Sequence, residues 1–340
     1  MDSKNIILAS LILFIIFTSG CVLQNWQNPF DSKTPEGSGV IIEYFGGDIQ
    51  DNIYYSGEKV TFLLKVKNTG SVKAEEGFAE LLGLDYSWRP AGSKLSQTGE
   101  LFPEEEACRY TNKKITLLAP DPERGTEGSE TVCTWKYIAP DVLPGITIDV
   151  KPRARFYYTY KSSTVKTITL VGREELKVLQ EQGKSLPIES YTKTNSPISI
   201  DIETATPIRV YDSKVEFPIV VTVKNTGGGT PCLESSKNCK KEGGVGENEN
   251  WHKIDIKITL PSGLLPAENS CKANNNVITE RVFFVGNSPQ SFSCKIVGEI
   301  PSTIGITQKT IKAEAVYGYF IDKTTEVVVY SSTKPNAPQK

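Results

Sequence analysis

The residues with the most chemistry to offer are seven cysteines: Cys21, Cys108, Cys133, Cys232, Cys239, Cys271 and Cys294. Setting Cys21 aside leaves an even six, the arithmetic of a disulfide-forming compartment. A structural zinc site wants paired ligands about two to four residues apart. Cys232 and Cys239 are more widely spaced and Cys271 and Cys294 stand alone, so no metal is expected. His252 is the single imidazole, with no serine or cysteine near it in a triad-like pattern, and reads as a surface strand residue. The glycine stretches 227–229 and 243–246 lack the Gly-Lys-Ser/Thr ending and helix of a phosphate cradle and read as loop glycines. Glu104-Glu105-Glu106 and the nearby Asp121 and Glu123 read as a solvated loop, and 46–52 as a plain turn without the closing glutamate of a calcium loop. No catalytic residue and no cofactor is expected.

Aromatic side chains supply the remaining candidates. Tyr158 and Tyr160, beside Tyr157, and Tyr317 and Tyr319 fall at alternating positions of strand-like segments, so one face of each is partly tyrosine. A ring with a polar tip suits a recognition surface for sugar or protein; the competing reading is a tyrosine fixing a sandwich corner. Trp88 belongs to a stretch, 82–98, that has no counterpart elsewhere in the chain and reads as a contact surface.

These candidates are positioned by an internal repeat. Lys67-Asn68-Thr69-Gly70 answers Lys224-Asn225-Thr226-Gly227, each closing an apolar strand. Asn and Gly tolerate left-handed backbone, which gives each strand end a stereochemical cause. The segments 131–140 and 291–301 each carry a cysteine in a strand. Ala154–Tyr160 followed by 165–171 matches Ala313–Tyr319 followed by 324–330, and each pair reads as the same closing hairpin. Short strands separated by Gly, Pro, Asn and Ser predict antiparallel sandwiches. The expected fold is all-β: two tandem immunoglobulin-like sandwiches set end to end, 39–172 and 197–331, each burying its own core. Their opening strands are expected at 39–45 and 197–204.

The repeat puts two cysteines in the first copy and four in the second, leaving one pairing for the first and three for the second. We expect Cys108–Cys133, Cys271–Cys294 and Cys232–Cys239. Between the copies, 173–182 has no Gly or Pro, places Leu176 and Leu179 three apart and stops at Gly183, which predicts a short spacer helix packed on the first sandwich. A linker follows over 184–196.

The N-terminus sets the compartment. Lys4 and the free amine precede an uncharged run from Ile6, and Thr18-Ser19-Gly20 leads into Cys21. This resembles a prokaryotic lipobox, with Thr18 where an aliphatic residue is usual, and implies cleavage before a lipidated Cys21. A retained anchor with Trp26 and Phe30 at the headgroups, or a plain secreted chain, are the other outcomes. Each places residues 30–340 outside the cytoplasm. Residues 22–38 read as a tether of at most roughly 55–60 Å, and 332–340 as a frayed tail.

With 38 basic against 40 acidic residues the net charge is −2, which gives no footprint for nucleic acid. The apolar strand ending in Asn-Thr-Gly, repeated in tandem behind a signal segment, resembles the CARDB-like immunoglobulin-like repeats of prokaryotic, especially archaeal, cell-surface lipoproteins. That resemblance rests on Val66–Gly70 and Val223–Gly227 and implies adhesion, spacing or envelope architecture, without catalytic residues. The expectation is a membrane-anchored, extracytoplasmic, non-catalytic binding, adhesion or scaffold protein with a protein or glycan partner. A surface-filament subunit and a carboxylate-based hydrolase of cell-surface polymer are the alternatives.

Overall fold

The computed structural model describes residues 39–92, 94–95, 101–102, 108, 114–240, 248–286, 288–301 and 305–332. Cys21 with the segments 1–21 and 22–38, Glu104–Glu106, Gly243–Gly246 and the tail beyond Ser332 lie outside the described residues.

The first copy contributes β1 (Val40–Gly47), β2 (Ile53–Tyr55), β3 (Lys59–Asn68), β4 (Ala74–Leu82), β5 (Arg89–Pro90), β6 (Lys94–Leu95), β7 (Leu101–Phe102), β8 (Ile115–Leu117), β9 (Glu130–Ile138), β10 (Thr147–Val150) and β11 (Arg153–Gly172). The connection holds α1 (Arg173–Glu181) and β12 (Tyr191–Lys193). The second copy opens with β13 (Ile198–Thr204), β14 (Ile208–Val210), β15 (Lys214–Asn225), β16 (Thr230–Leu233) and the single turn α2 (Ser236–Cys239). It continues with β17 (Lys253–Thr259), β18 (Leu264–Pro266), β19 (Ala273–Asn274), β20 (Val277–Phe283), β21 (Gln290–Glu299), β22 (Ile306–Thr324) and β23 (Val327–Tyr330).

Alternation makes these strands. Along β3, Val60, Phe62, Leu64 and Val66 are buried while the residues between them are not, and β15 repeats the pattern with Val215, Phe217, Ile219, Val221 and Val223. The chain is all-β, with the same antiparallel order in each copy: β1-β3-β9-β5 and β13-β15-β21-β18. Facing them is one ten-stranded sheet whose main path is β19-β20-β17-β22-β11-β4-β8.

The copies do not lie end to end. β11 and β22 pair antiparallel from Arg153–Thr324 to Val171–Ile306, and β10 with β23 extends the same register from Val150–Val327 to Thr147–Tyr330. The only interruption is crossed by a hydrogen bond from the Thr325 N–H to the Pro152 carbonyl at 3.1 Å. At the centre Thr159 faces Gly318, and these are equivalent positions of the repeat. A pseudo-two-fold axis therefore passes between them, and the chain is built as an isologous dimer fused into one polypeptide.

The ribbon also exchanges strands. β23 of the second copy lies between β10 and β2 of the first, while the end of β11 runs parallel to β14 of the second. Neither copy buries its core alone: Val327 and Val329 pack into the first copy's end and Ile168 and Leu170 into the second's, all in one continuous core. The described residues accordingly belong to a single compact unit.

The expected hairpins are absent. Residues 161–164 form no turn, because the hydroxyls of Ser162 and Thr164 bond instead to the carbonyls of Ile198 and Ile200, at 2.7 and 2.5 Å, and β11 runs on unbroken. The spacer helix forms, with Leu179 buried and Gly183 in the left-handed region at φ +62°. The linker behind it supplies β12, which pairs with β11.

Candidate functional site

The Asn-Thr-Gly triplets prove to be internal clamps. Asn68 is buried; its Nδ2 donates to the carbonyls of Val72 (2.8 Å) and Leu117 (3.0 Å), and its Oδ1 accepts the Gly70 N–H (3.1 Å). Asn225 donates to the Gly229 carbonyl (2.8 Å) and accepts the Tyr319 hydroxyl (2.7 Å). Thr69 and Thr226 each send N–H and Oγ to one carbonyl, that of Gly39 and of Pro197. None of Asn68, Gly70, Asn225 and Gly227 has a positive φ, so hydrogen bonding and close approach replace the expected left-handed backbone. A Cβ on Gly227 would lie 2.6 Å from Pro197 Cβ.

Tyr158, Tyr160, Tyr317 and Tyr319 form no recognition surface. All four are buried where the ribbon crosses the pseudo-two-fold axis, with Tyr158 opposite Tyr319 and Tyr160 opposite Tyr317. The Tyr158 ring lies 5.6 Å from Tyr319 and 5.8 Å from Tyr160. The Tyr317 hydroxyl bonds Ser162 Oγ at 2.8 Å and accepts the Ile198 N–H at 3.3 Å. The Tyr158 hydroxyl is buried without a hydrogen bond of normal geometry, beside the backbone of Gly39 and Val40. Burial pushes the Tyr160 phenol up to about 12 and the other three further. Trp88 is likewise buried, packed 5.9 Å from Phe62, and the exposed aromatic of that turn is Tyr86.

The outer face of the shared sheet carries a second cluster that alternation alone did not mark. Arg155 and Asp322, cross-strand partners, form a two-pronged ion pair at 2.6 and 2.7 Å. The buried guanidinium lies 4.0 Å from the Phe320 ring centre, 5.3 Å from Trp251 and 5.9 Å from Tyr157, and Phe78 stacks on Tyr157 at 4.5 Å. The loop holding α2 closes over this face. Its Cys232–Cys239 disulfide is buried, and Trp251 Nε1 donates to the Cys239 carbonyl at 2.7 Å. The other cysteines pair as Cys108–Cys133 and Cys271–Cys294.

Carboxylates around this cluster are held by cations: Glu76 by Lys114, which lowers its pKa, and Glu80 by Lys240 at 2.5 Å. Asp48 accepts the Tyr54 hydroxyl and the Thr61 N–H, tying the 46–52 turn to β2 and β3, and the Gly47 N–H donates to Asn52 Oδ1 at 2.7 Å within it. Among the described residues no group of three or more His, Cys, Asp or Glu is arranged to hold a metal. His252 is not a strand residue; it sits in the turn before β17, half-buried, with φ +61°.

Open concavities lie at the far end of the second copy, on both sides of the start of β15. One, of about 590 Å³, is bounded by Lys214, Glu216, Leu265, Val297 and Glu299; the other, of about 400 Å³, by Pro207, Arg209, Tyr211 and Phe217. Between β14 and β15, Tyr211 and Lys214 exchange both backbone hydrogen bonds, with Asp212 and Ser213 left-handed at φ +46° and +64°. That is a two-residue primed turn. Its usual sequence mark is Asn-Gly or Asp-Gly, and Asp-Ser hid it. Mixed charge on an apolar floor, open to solvent, suits an extended or flat partner.

Fold and sites define an all-β, disulfide-braced double sandwich with one aromatic cluster buried on the ribbon and a second under the loop that carries α2. No protein-family model matches the chain, and no curated protein matches it. Among solved structures it is similar to red sea bream transglutaminase, at 10% identity and a TM-score of 0.18 over 88% of this chain and 32% of that one. It is also similar to the collagen-binding domain of the Erysipelothrix rhusiopathiae surface protein RspB, at 8% identity, TM-score 0.12, over 87% and 98%. The CupB6 tip adhesin of Pseudomonas aeruginosa gives 8%, 0.14, 88% and 96%. Scores this low carry no argument, and the fold rests on strand order and register. Among the described residues no helix is long and apolar enough to cross a membrane.

Proposed function

We propose that this is an extracytoplasmic, membrane-anchored, non-catalytic binding or scaffold protein, held at its N-terminus. The observation that carries the reading is the disulfide-braced, strand-exchanged ribbon: three disulfides belong to an oxidising compartment, and a single body without a hinge between its copies suits a rigid spacer. The open faces around Tyr211 and Leu265 supply contact area for a protein or glycan. The resemblance to CARDB-like repeats points the same way.

The test is done on intact cells. Protease added outside should degrade the chain, the six cysteines should resist alkylation until reduced, and the mature mass should start at a lipidated Cys21. Free thiols or full protection from protease would remove the proposal. A mass that begins upstream of Cys21 would replace lipidation with a retained anchor.

A further inference from the structure

The pseudo-two-fold axis relates two sheet faces that are not treated alike. Val171 on β11 and Tyr330 on β23 are equivalent positions, and their inward neighbours Leu170 and Val329 are both buried in the main core. Outward, Val171 is 0% exposed, at the point where α1 begins directly after β11 and the linker behind it returns to the strand, with the Thr169 N–H donating to Glu189. Leu179 of the helix is buried, and Glu175 comes to within 3.4 Å of the Cβ position of Gly305 on this side. At the equivalent face of the first copy nothing corresponding is present among the described residues. Tyr330 is 41% exposed, Tyr55 52% and Ile53 39%, with the two tyrosine rings 6.2 Å apart. Ile146, which occupies the place of Gly305, is exposed as well.

Residues 331–340 carry no large apolar side chain and two prolines. The rim is acidic: Asp149 and Glu58 are exposed beside it, while the nearby cations Lys151 and Arg89 are already paired with Glu326 and Asp141. We propose that the face formed by Ile53, Tyr55, Tyr330 and Ile146 docks an amphipathic helix of a partner protein, with an aliphatic stripe against the tyrosines and basic flanks against Asp149 and Glu58. The partner helix takes on the first copy the place that α1 takes on the second. This deepens the binding reading above, and it stands on the fold rather than on where the chain is anchored.

The test titrates the full chain into two fluorescent peptides of about 14 residues made only of leucine and lysine. One has leucine at helical spacing and the other has strict alternation; a chitin oligosaccharide is the third arm. The expected result is saturable binding of the helical-spaced peptide, at least about tenfold weaker in Tyr330→Ser and in Tyr55→Ser, and unchanged in Tyr86→Ser. The two tyrosines lie on different strands, so one variant that fails to fold leaves the other to decide. No binding, equal binding of the alternating peptide, insensitivity to both substitutions, or oligosaccharide binding abolished by them would overturn the proposal. None of these outcomes depends on the compartment, so failure here is distinct from failure of the surface reading.

Discussion

Thr159 and Gly318 occupy the same position in the two copies and face each other across the ribbon, one with a hydroxyl and the other with no side chain. The difference breaks the pseudo-symmetry where it matters. Thr159 Oγ donates to Glu76 at 3.1 Å and accepts the Ser236 N–H at 3.0 Å, so it anchors the loop that carries α2. Gly318 makes room for that loop: a Cβ there would lie 2.1 Å from the Ser235 carbonyl oxygen and 2.8 Å from Cys239 Sγ.

Gly318→Val should therefore lift the loop from the aromatic face and cost about 1–3 kcal/mol, the usual range for overpacking. Denaturant unfolding gives the loss, and a red shift in tryptophan emission would report Trp251 becoming wet. A neutral Gly318→Val would mean the close approach is not a constraint.

Strand exchange predicts that the copies are one cooperative unit. Calorimetry of the whole chain should show a single transition, and residues 39–172 or 197–332 produced alone should lack a sharp one, since each then exposes Tyr54 or Ile208 where the exchanged strand belongs. Two well-separated transitions in the full chain would contradict this.

Arg155→Ala should destabilise by roughly 2–3 kcal/mol, somewhat below the range for breaking a fully buried pair, because Asp322 is partly exposed. Arg155→Met should cost less than Arg155→Ala, since its chain still fills the space among Phe320, Trp251 and Tyr157. Equal losses in urea titrations would assign the whole effect to charge.

Both pH limits follow from shifted groups. Lys312 and then Lys161 hold the Glu314 carboxyl at about 2, against an ordinary 4.5. A depressed folded pKa gives stability that is complete above the unfolded value, so this contribution should drain as pH falls from about 4.5 toward 2. The phenols have the opposite sign. With Tyr160 at about 12 in the fold and near 10 unfolded, its share is complete below pH 10 and is lost as pH rises through 12. Absorbance at phenolate wavelengths during an alkaline titration should show the four ribbon tyrosines ionising only with unfolding; early ionisation would place them in contact with water.

The spacer helix was legible because 173–181 lacks Gly and Pro and ends at Gly183, a purely local signal. The opening strands expected at 39–45 and 197–204 were legible as matching apolar segments of the repeat, and they form as β1 and β13. Trp88 and the tyrosine quartet misled for one reason: alternation identifies which residues share a face but is silent on what covers that face. The hairpin expected between 154–160 and 165–171 misled because the hydroxyls of Ser162 and Thr164 bond a neighbouring strand instead of closing a turn. Arg155, buried among aromatics, left no sequence mark at all, since its cage is gathered from β11, β22 and the loop after α2.

The chain's own residues determined an all-β body, a two-copy repeat and the strand ends at Asn68 and Asn225, because hydrophobic period and the repeated Asn-Thr-Gly are read within a few neighbours, although the cause of those ends is side-chain hydrogen bonding and close approach rather than left-handed backbone. Only the tertiary structure decided that the copies join through one ribbon, exchange their last strands and bury the tyrosines between them. Which edge a strand pairs with is settled by registering side chains distant in sequence, and a repeat supplies two equally patterned edges.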